Sequence, residues 1–284
     1  MQITLIGASG FIGQPLSAAL RARGDDVRTA SLRDPAAAAQ ACRGSHVVVN
    51  LAGEPVAQRW TPSAKAKIRA SRVDAAHALF EALAKLDKPP RAYVSSSAIG
   101  YYGTSDTATF DETNGPGNDF LAEVCVAWEA AADRFAALSM RVTKVRTGLV
   151  LGPGGGALGQ LLPIFRLGAG GVVASGKQWY SWIHLADEIG IYLHAIDGAE
   201  GTDGALDATA PNPVRNAEFT RALGAALHRW AIVPTPAFAV SLLLGEGALV
   251  VTRGQRVLPS RTLASGYRFR YETIDAALAA IVAG

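Results

Sequence analysis

With 284 residues the chain is long enough for one large α/β domain carrying a smaller lobe, since single cores stop growing near roughly 250–300 residues. Hydrophobic residues make up 49% and charged residues 18%, a composition that excludes intrinsic disorder. Basic and acidic side chains number 27 and 24, and no basic run reaches five, so neither a nucleic-acid groove nor a polybasic membrane patch is expected.

Residues 2–6 are a short apolar, β-branched run ending at Gly7, which predicts a buried parallel strand. Phe11 to Arg23 follows with helical spacing at Ile12, Leu16 and Leu20, and Gly24 stops it. A second strand spans about Asp26 to Leu32 and an Ala-rich helix Pro35 to Cys42. The third strand, His46 to Asn50, is apolar enough to be buried on both faces. Thr61 as N-cap and Pro62 in the first turn open one long helix whose apolar face runs through Ile68, Ala75, Leu79, Leu83 and Leu86, ended by Pro89 and Pro90. A strand over Ala92–Ser96, a helix over Asp119–Leu138 and a strand over Arg141–Thr147 continue the alternation. The pattern predicts a Rossmann-type, doubly wound parallel sheet with right-handed crossovers.

After the glycine-rich turn at 152–156 the alternation becomes irregular. Helices are expected over Ala186–Ile196, Asn216–Leu227 and Ile274–Val282. The expected division is a dinucleotide-binding domain over residues 1–155 and a smaller C-terminal lobe over 156–284, on the substrate side. The longest apolar stretch, Phe238 to Val251, is too short for a span of ~20 residues and contains Glu246. Cys42 and Cys125 form no ligand spacing and read as reduced, packed thiols. Strand-like residues from Gln2 onward leave no room for a signal peptide, so a soluble cytoplasmic protein is expected.

Gly7, Gly10 and Gly13 make a G-x-x-G-x-x-G pattern between the first strand and the first helix. Gly7 permits a sharp turn, Gly10 lets the backbone approach a pyrophosphate, and Gly13 lets the helix pack closely. The helix N-terminus supplies free amides and partial positive charge. At the tip of strand two, where an acid favours NAD and a base NADP, the chain has Ser31 and Arg33. A guanidinium fork there suits a 2′-phosphate, so NADP(H) is expected over NAD(H). Asp34 is free to pair Arg33 or to serve the ribose.

Asn50-Leu51-Ala52-Gly53 and Ser95-Ser96-Ser97-Ala98 resemble the extended branch of the short-chain dehydrogenase/reductase superfamily, and Arg146 to Pro153 resembles the following strand of UDP-sugar epimerases. Glu54-Pro55, residues 98–103, 163–168, Trp182-Ile183-His184 and 254–259 narrow the resemblance to atypical members termed the epimerase family, formerly described as cell-division-inhibitor-like. It spans nearly the whole chain, with that family's small C-terminal domain from about Val233. The resemblance implies cofactor contacts at Gly7, Ser9, Gly10, Phe11, Ile12, Gly13, Ser31, Arg33, Leu51, Ala52 and Gly53. It adds Arg72, within reach of a cofactor phosphate or ribose.

The superfamily's usual acid/base is a Tyr-x-x-x-Lys pair on the helix after strand four. None of the seven tyrosines (Tyr93, Tyr101, Tyr102, Tyr180, Tyr192, Tyr267, Tyr271) has lysine four residues later, and residues 120–125 supply neither member. Ser97, Tyr101, Tyr102 and His184 remain as catalytic candidates. Tyr101 and Tyr102 read equally as loop packing, and His184 as a structural hydrogen bonder with Asp187 opening the next helix. Trp179, Tyr180 and Trp182 fit either a substrate pocket or a half-buried strand. The expected activity is hydride transfer on a small polar or sugar-nucleotide-like substrate; an NADPH sensor without turnover is the alternative.

Overall fold

Alternation along the first strand sets the architecture of the computed structural model, which describes residues 1–283. In β1 (Gln2–Ile6), Ile3 and Leu5 enter one core while Ile6 enters another, as a period of two across a sheet with two covered faces requires. The chain continues through α1 (Gly13–Ala22), β2 (Asp26–Ala30), α2 (Pro35–Ala41), β3 (Val47–Asn50), α3 (Pro62–Ala70), α4 (Val73–Leu83) and β4 (Ala92–Ala98). A short β5 (Thr109–Phe110), α5 (Phe120–Asp133), β6 (Arg141–Thr147), β7 (Leu149–Leu151) and α6 (Gly156–Arg166) follow. Then come β8 (Trp179–Tyr180), β9 (Trp182–His184), α7 (Leu185–Asp197), β10 (Gly204–Ala208), β11 (Val214–Arg215) and α8 (Asn216–Ala226). The C-terminal part holds α9 (Ala237–Leu244), α10 (Leu249–Thr252), β12 (Arg256–Val257), α11 (Ser260–Ala264) and α12 (Ile274–Ala283).

Six strands form a parallel sheet in the order β10-β6-β4-β3-β1-β2. The chain leaves β1 toward β2 and then returns to β1's other side as β3, so the switch point of this doubly wound sheet lies beside β1. On one face Leu16 and Leu20 of α1 and Ile189 and Tyr192 of α7 pack on Leu5, Val49, Val94 and Val145. On the other, Leu79 and Leu83 of α4 and Phe135 pack on Val48 and Tyr93, whose ring stacks on Phe135 at 3.8 Å. A separate core joins α6, α8 and α12 through Phe165, Phe219, Leu223 and Leu278 around Trp182.

Several expectations are corrected by the structure. The helix expected from Thr61 to Leu86 is two, because the Ser71 hydroxyl bonds back to the Ile68 carbonyl and accepts from the Glu54 amide. Thr61 does cap its start, accepting from the Ala64 amide. Strand two ends at Ala30, and the helix over 119–138 finishes in a 3₁₀ turn from Arg134. The sheet draws its sixth strand, β10, and the covering helix α7 from beyond residue 155, so both sides of that expected boundary build the dinucleotide fold. Both cysteines are buried and free. Among the described residues no helix is long and apolar enough to cross a membrane.

Candidate functional site

At the C-terminal edge of the sheet, Gly7 has φ +83°, and a Cβ there would lie 2.9 Å from the Leu51 carbonyl carbon. A Cβ on Gly13 would lie 2.2 Å from the Gly7 oxygen. Glycine is therefore required for the turn and for the seating of α1 against it. The α1 N-terminus carries no side-chain cap and no acid in its first turn; the Gln14 amide donates to the Gly10 carbonyl and Pro15 has none, which leaves the amides of Phe11, Ile12 and Gly13 without an acceptor among the described residues and available to an anion. Asn50 turns the end of β3 toward this loop: it accepts from the Ala52 amide and donates to the Tyr93 hydroxyl, and the Leu51 amide donates to the Ile6 carbonyl. A groove of about 670 Å³ opens here, lined by Gly7, Ser9, Ser17, Thr29, Ser31 and Ala52 among others. Phe11 flanks it. Its ring would lie 2.7 Å from a Cβ on Gly155 and 2.8 Å from one on Gly156, so the second glycine-rich segment packs on the first.

Arg33 is exposed just past the tip of β2, its amide donating to the Ser31 hydroxyl at 3.3 Å. Asp34 is not its partner: the carboxylate caps α2 by accepting from the Ala37 amide at 3.0 Å. The β2 tip thus presents a guanidinium and a hydroxyl with the neighbouring acid occupied. Cradle, uncapped helix and cation together fit a phosphorylated dinucleotide.

Farther along the edge, three of the candidate groups are already engaged. Ser97 is buried and donates to Glu129 Oε1 at 2.7 Å. Glu129 also grips Arg146, at 2.7 Å to Nε and 2.8 Å to Nη2. Burial alone would lower the Arg146 pKa, but the Glu129 hydrogen bonds and charge prevail and raise it. Arg146 Nη1 donates to the Tyr102 hydroxyl, which donates to Asp207 at 2.8 and 3.0 Å. Burial and then Asp207 push the Tyr102 pKa up, and burial with Glu112 raises that of Asp207. Tyr102 is therefore placed as a link in a buried network, poorly suited to releasing a proton. The Tyr101 ring lies under the Arg146 guanidinium at 3.6 Å, and its hydroxyl makes no hydrogen bond among the described residues.

His184 ends β9, and its Nδ1 accepts from the Ala186 amide, capping α7. Burial lowers its pKa, and its ring lies 3.9 Å from that of Tyr271. Asp187 accepts from the amides of Arg270 and Tyr271 and from the Tyr267 hydroxyl, tying the C-terminal segment to α7. Both residues are accounted for by structure. The aromatic group divides: Trp182 and Tyr180 belong to the C-terminal core, while Trp179 stacks on Arg215 at 3.6 Å. On α5, Leu121 and Cys125 pack against Gly100, three residues past Ser97, so a leucine and a buried thiol, its pKa pushed up to about 12 by burial, occupy that helical face.

The sequence reading missed Glu129, Glu188 and Tyr192. Glu129 had a signal, an acid on the apolar face that carries Cys125 and Trp128. Glu188 is fully buried, accepts from the Thr147 hydroxyl at 2.7 Å, and is pushed up to about 8 by burial. Tyr192 meets the Ser96 hydroxyl at 2.6 Å. Among the described residues no acid, histidine or cysteine cluster is arranged for a metal.

The family model for the NAD dependent epimerase/dehydratase family matches residues 3–205, and a domain of unknown function matches residues 235–281. The epimerase family protein SDR39U1 homolog, chloroplastic, of Arabidopsis thaliana is 40% identical, covering 99% of this chain and 87% of its own. Human epimerase family protein SDR39U1 is also 40% identical, covering both chains completely. The crystal structure of the human protein (isoform 2) with NADPH matches with a TM-score of 0.94 at 37% identity, over 100% of this chain and 99% of that one. A nucleoside-diphosphate sugar epimerase from Corynebacterium glutamicum matches with a TM-score of 0.81 at 31% identity, over 99% of this chain and 58% of that one.

Proposed function

The chain belongs to the NAD-dependent epimerase/dehydratase family, and we propose that it binds NADP(H) and acts as an epimerase-like oxidoreductase on a small polar or sugar-nucleotide-like substrate. The observation that carries the cofactor choice is the β2 tip, where Arg33 and Ser31 stand ready and Asp34 is turned into a helix cap. The human relative crystallised with NADPH supports the same choice.

Bound NADP(H) supplies a hydride donor or acceptor at the nicotinamide C4. The chain's own part is to hold and orient. The amides of the Gly7–Gly13 loop and the α1 N-terminus grip the diphosphate, and Arg33 forks onto the 2′-phosphate. Gly155 and Gly156 pack on Phe11 and hold it beside the loop. Tyr101, its hydroxyl unspent and its ring fixed by Arg146, is the group best placed to give a proton to a substrate oxygen. The Tyr-x-x-x-Lys pair has no counterpart on α5, where Leu121 and Cys125 face the Ser97 segment. We place the protein in the cytoplasm, in keeping with its two buried free thiols.

Calorimetry with NADPH and NADH tests this. NADPH is expected to bind more tightly, and R33A to weaken it by about 10-fold or more while barely changing NADH. Equal affinity for both nucleotides in the parent protein would remove the assignment. The engagement of Ser97 and Tyr102 with the Glu129–Arg146 pair favours a second reading, an NADPH sensor without turnover. Tight NADPH binding with no hydride exchange across a panel of carbonyls and sugar nucleotides would decide for it.

A further inference from the structure

Helix α9 is apolar at every residue but Ser241, and a helix of that composition is ordinarily buried on all sides. Here only Val240 is buried. Phe238 is 74% exposed, and Leu242, one turn further on, is 73% exposed, as is Leu243. The segment that leads into the helix behaves in the same way, with Trp230 81% and Ile232 74% exposed. From Trp230 to Gly245 the sequence carries no charged side chain.

The backbone beneath these side chains is anchored. The Val233 amide donates to the Gly170 carbonyl at 3.0 Å and the Thr235 amide to the Val172 carbonyl at 2.9 Å, while the Ala174 amide donates to the Thr235 carbonyl at 2.9 Å. Arg229 Nε donates to the Arg166 carbonyl at 3.2 Å, which brings Leu167, 85% exposed, to the same border. At the other end Arg59 donates to the Leu242 carbonyl at 3.1 Å, and Lys65 pairs with Glu246. An anchored face leaves little backbone to order on contact.

Area indicates what covers it. Leu167, Trp230, Ile232, Phe238, Leu242 and Leu243 together present on the order of 800 Å² of apolar surface. The largest apolar patch on a typical monomer is about 300–600 Å². A standard interface takes about 800 Å² from each partner, so two copies of this chain would bury about 1,600 Å² between them, the size of a stable dimer. A two-fold axis sets a patch against itself and any charge in it against its own like, and a stretch without charges incurs none of that repulsion.

We propose that two copies of the chain associate through α9 and the Trp230–Pro236 segment, forming a homodimer with this apolar face at its two-fold axis. The groove beside the phosphate loop shares no lining residue with the face, so the dimer does not rest on the cofactor assignment.

Sedimentation velocity of the full chain from about 1 to about 100 μM tests it, and the parent is expected to run with the mass of two chains at about 10 μM and above. F238E/L242E sets four carboxylates in the joint. It is expected to stay a single chain up to about 100 μM, a weakening of about 10-fold or more, with its melt unchanged because both positions are exposed. V126E, on α5 and outside the face, should dimerise like the parent. A dimer retained in F238E/L242E, or lost in V126E, overturns the proposal. Should the double variant fail to melt cooperatively, hydrogen exchange on the parent carries the test. Between about 1 and about 100 μM, protection should rise in peptides covering residues 230–245, and a rise confined elsewhere overturns it. A parent that remains a single chain at about 100 μM overturns it as well. If that single chain co-sedimented with phosphatidylcholine–phosphatidylglycerol vesicles and F238E/L242E did not, the face would belong to a lipid surface instead.

Discussion

Glu129 holds Arg146 through two parallel hydrogen bonds of 2.7 and 2.8 Å, with both side chains buried beneath the tip of β4. The same carboxylate accepts from Ser97, and the same guanidinium covers Tyr101 and donates to Tyr102. One ion pair thus fixes three of the four residues singled out for chemistry.

Breaking that pair from one side leaves a buried charge unmatched. E129Q is expected to cost about 3–5 kcal/mol in urea unfolding, and the double variant E129L/R146M less than E129Q alone. A cost for E129Q below about 1 kcal/mol would mean that water already screens the pair.

Ser97 and Tyr101 should separate cleanly. S97A takes a donor from Glu129 and is expected to destabilise by about 1–2 kcal/mol. Y101F removes a hydroxyl with no hydrogen-bond partner among the described residues, so stability should stay within about 0.5 kcal/mol while NADPH-dependent turnover is lost. Retained turnover in Y101F removes this tyrosine from the reaction.

The phosphate loop has no room to adjust at Gly13. G13A would drive a methyl to 2.2 Å from the Gly7 oxygen, backbone against backbone. NADPH affinity is expected to fall by about 100-fold or more, because the amides of the α1 N-terminus lose their common aim. Equilibrium dialysis measures it.

Glu188 makes stability depend on pH. Its folded pKa, about 8, is raised by burial above the ordinary 4.5, so the folded state binds this proton more tightly than the unfolded chain. The stabilisation is complete below 4.5 and is lost as pH climbs to about 8. The slope from this group reaches about 1.4 kcal/mol per pH unit inside that window. Urea unfolding from about pH 5 to about pH 9 should show the decline in the parent and a flatter profile in E188Q.

His184 and Asp187 should affect the fold without touching the cofactor. H184A removes the α7 cap and is expected to cost about 1 kcal/mol. D187A leaves the Arg270 and Tyr271 amides without their acceptor and should cost more, about 2–3 kcal/mol. NADPH affinity unchanged in both would confirm that neither belongs to the binding site.

Much of the cofactor end was legible in one dimension. Gly7, Gly10 and Gly13 fall within a single turn, and the strand before them and helix after them are contiguous, so short-range spacing reports the geometry. Thr61 and Pro62 announced a helix start for the same reason. The break at Ser71 escaped because its cause is a bond to the Glu54 amide, seventeen residues away. What the polar atoms of Ser97, Tyr102 and His184 touch escaped for the same reason, since it depends on Glu129, Asp207 and the α7 backbone.

Local pattern therefore determined the strand–helix alternation, the glycine turn before α1 and the basic tip of β2, since each is written within a few consecutive residues. Tertiary structure alone decided that residues 204–208 complete the sheet and that Glu129 claims Arg146. It alone left Arg72 without an ion pair among the described residues and shut Glu188 away from water. The physical reason is that pairing and burial are properties of side chains brought together from distant parts of the chain, and their energies arise only once water has been expelled between them.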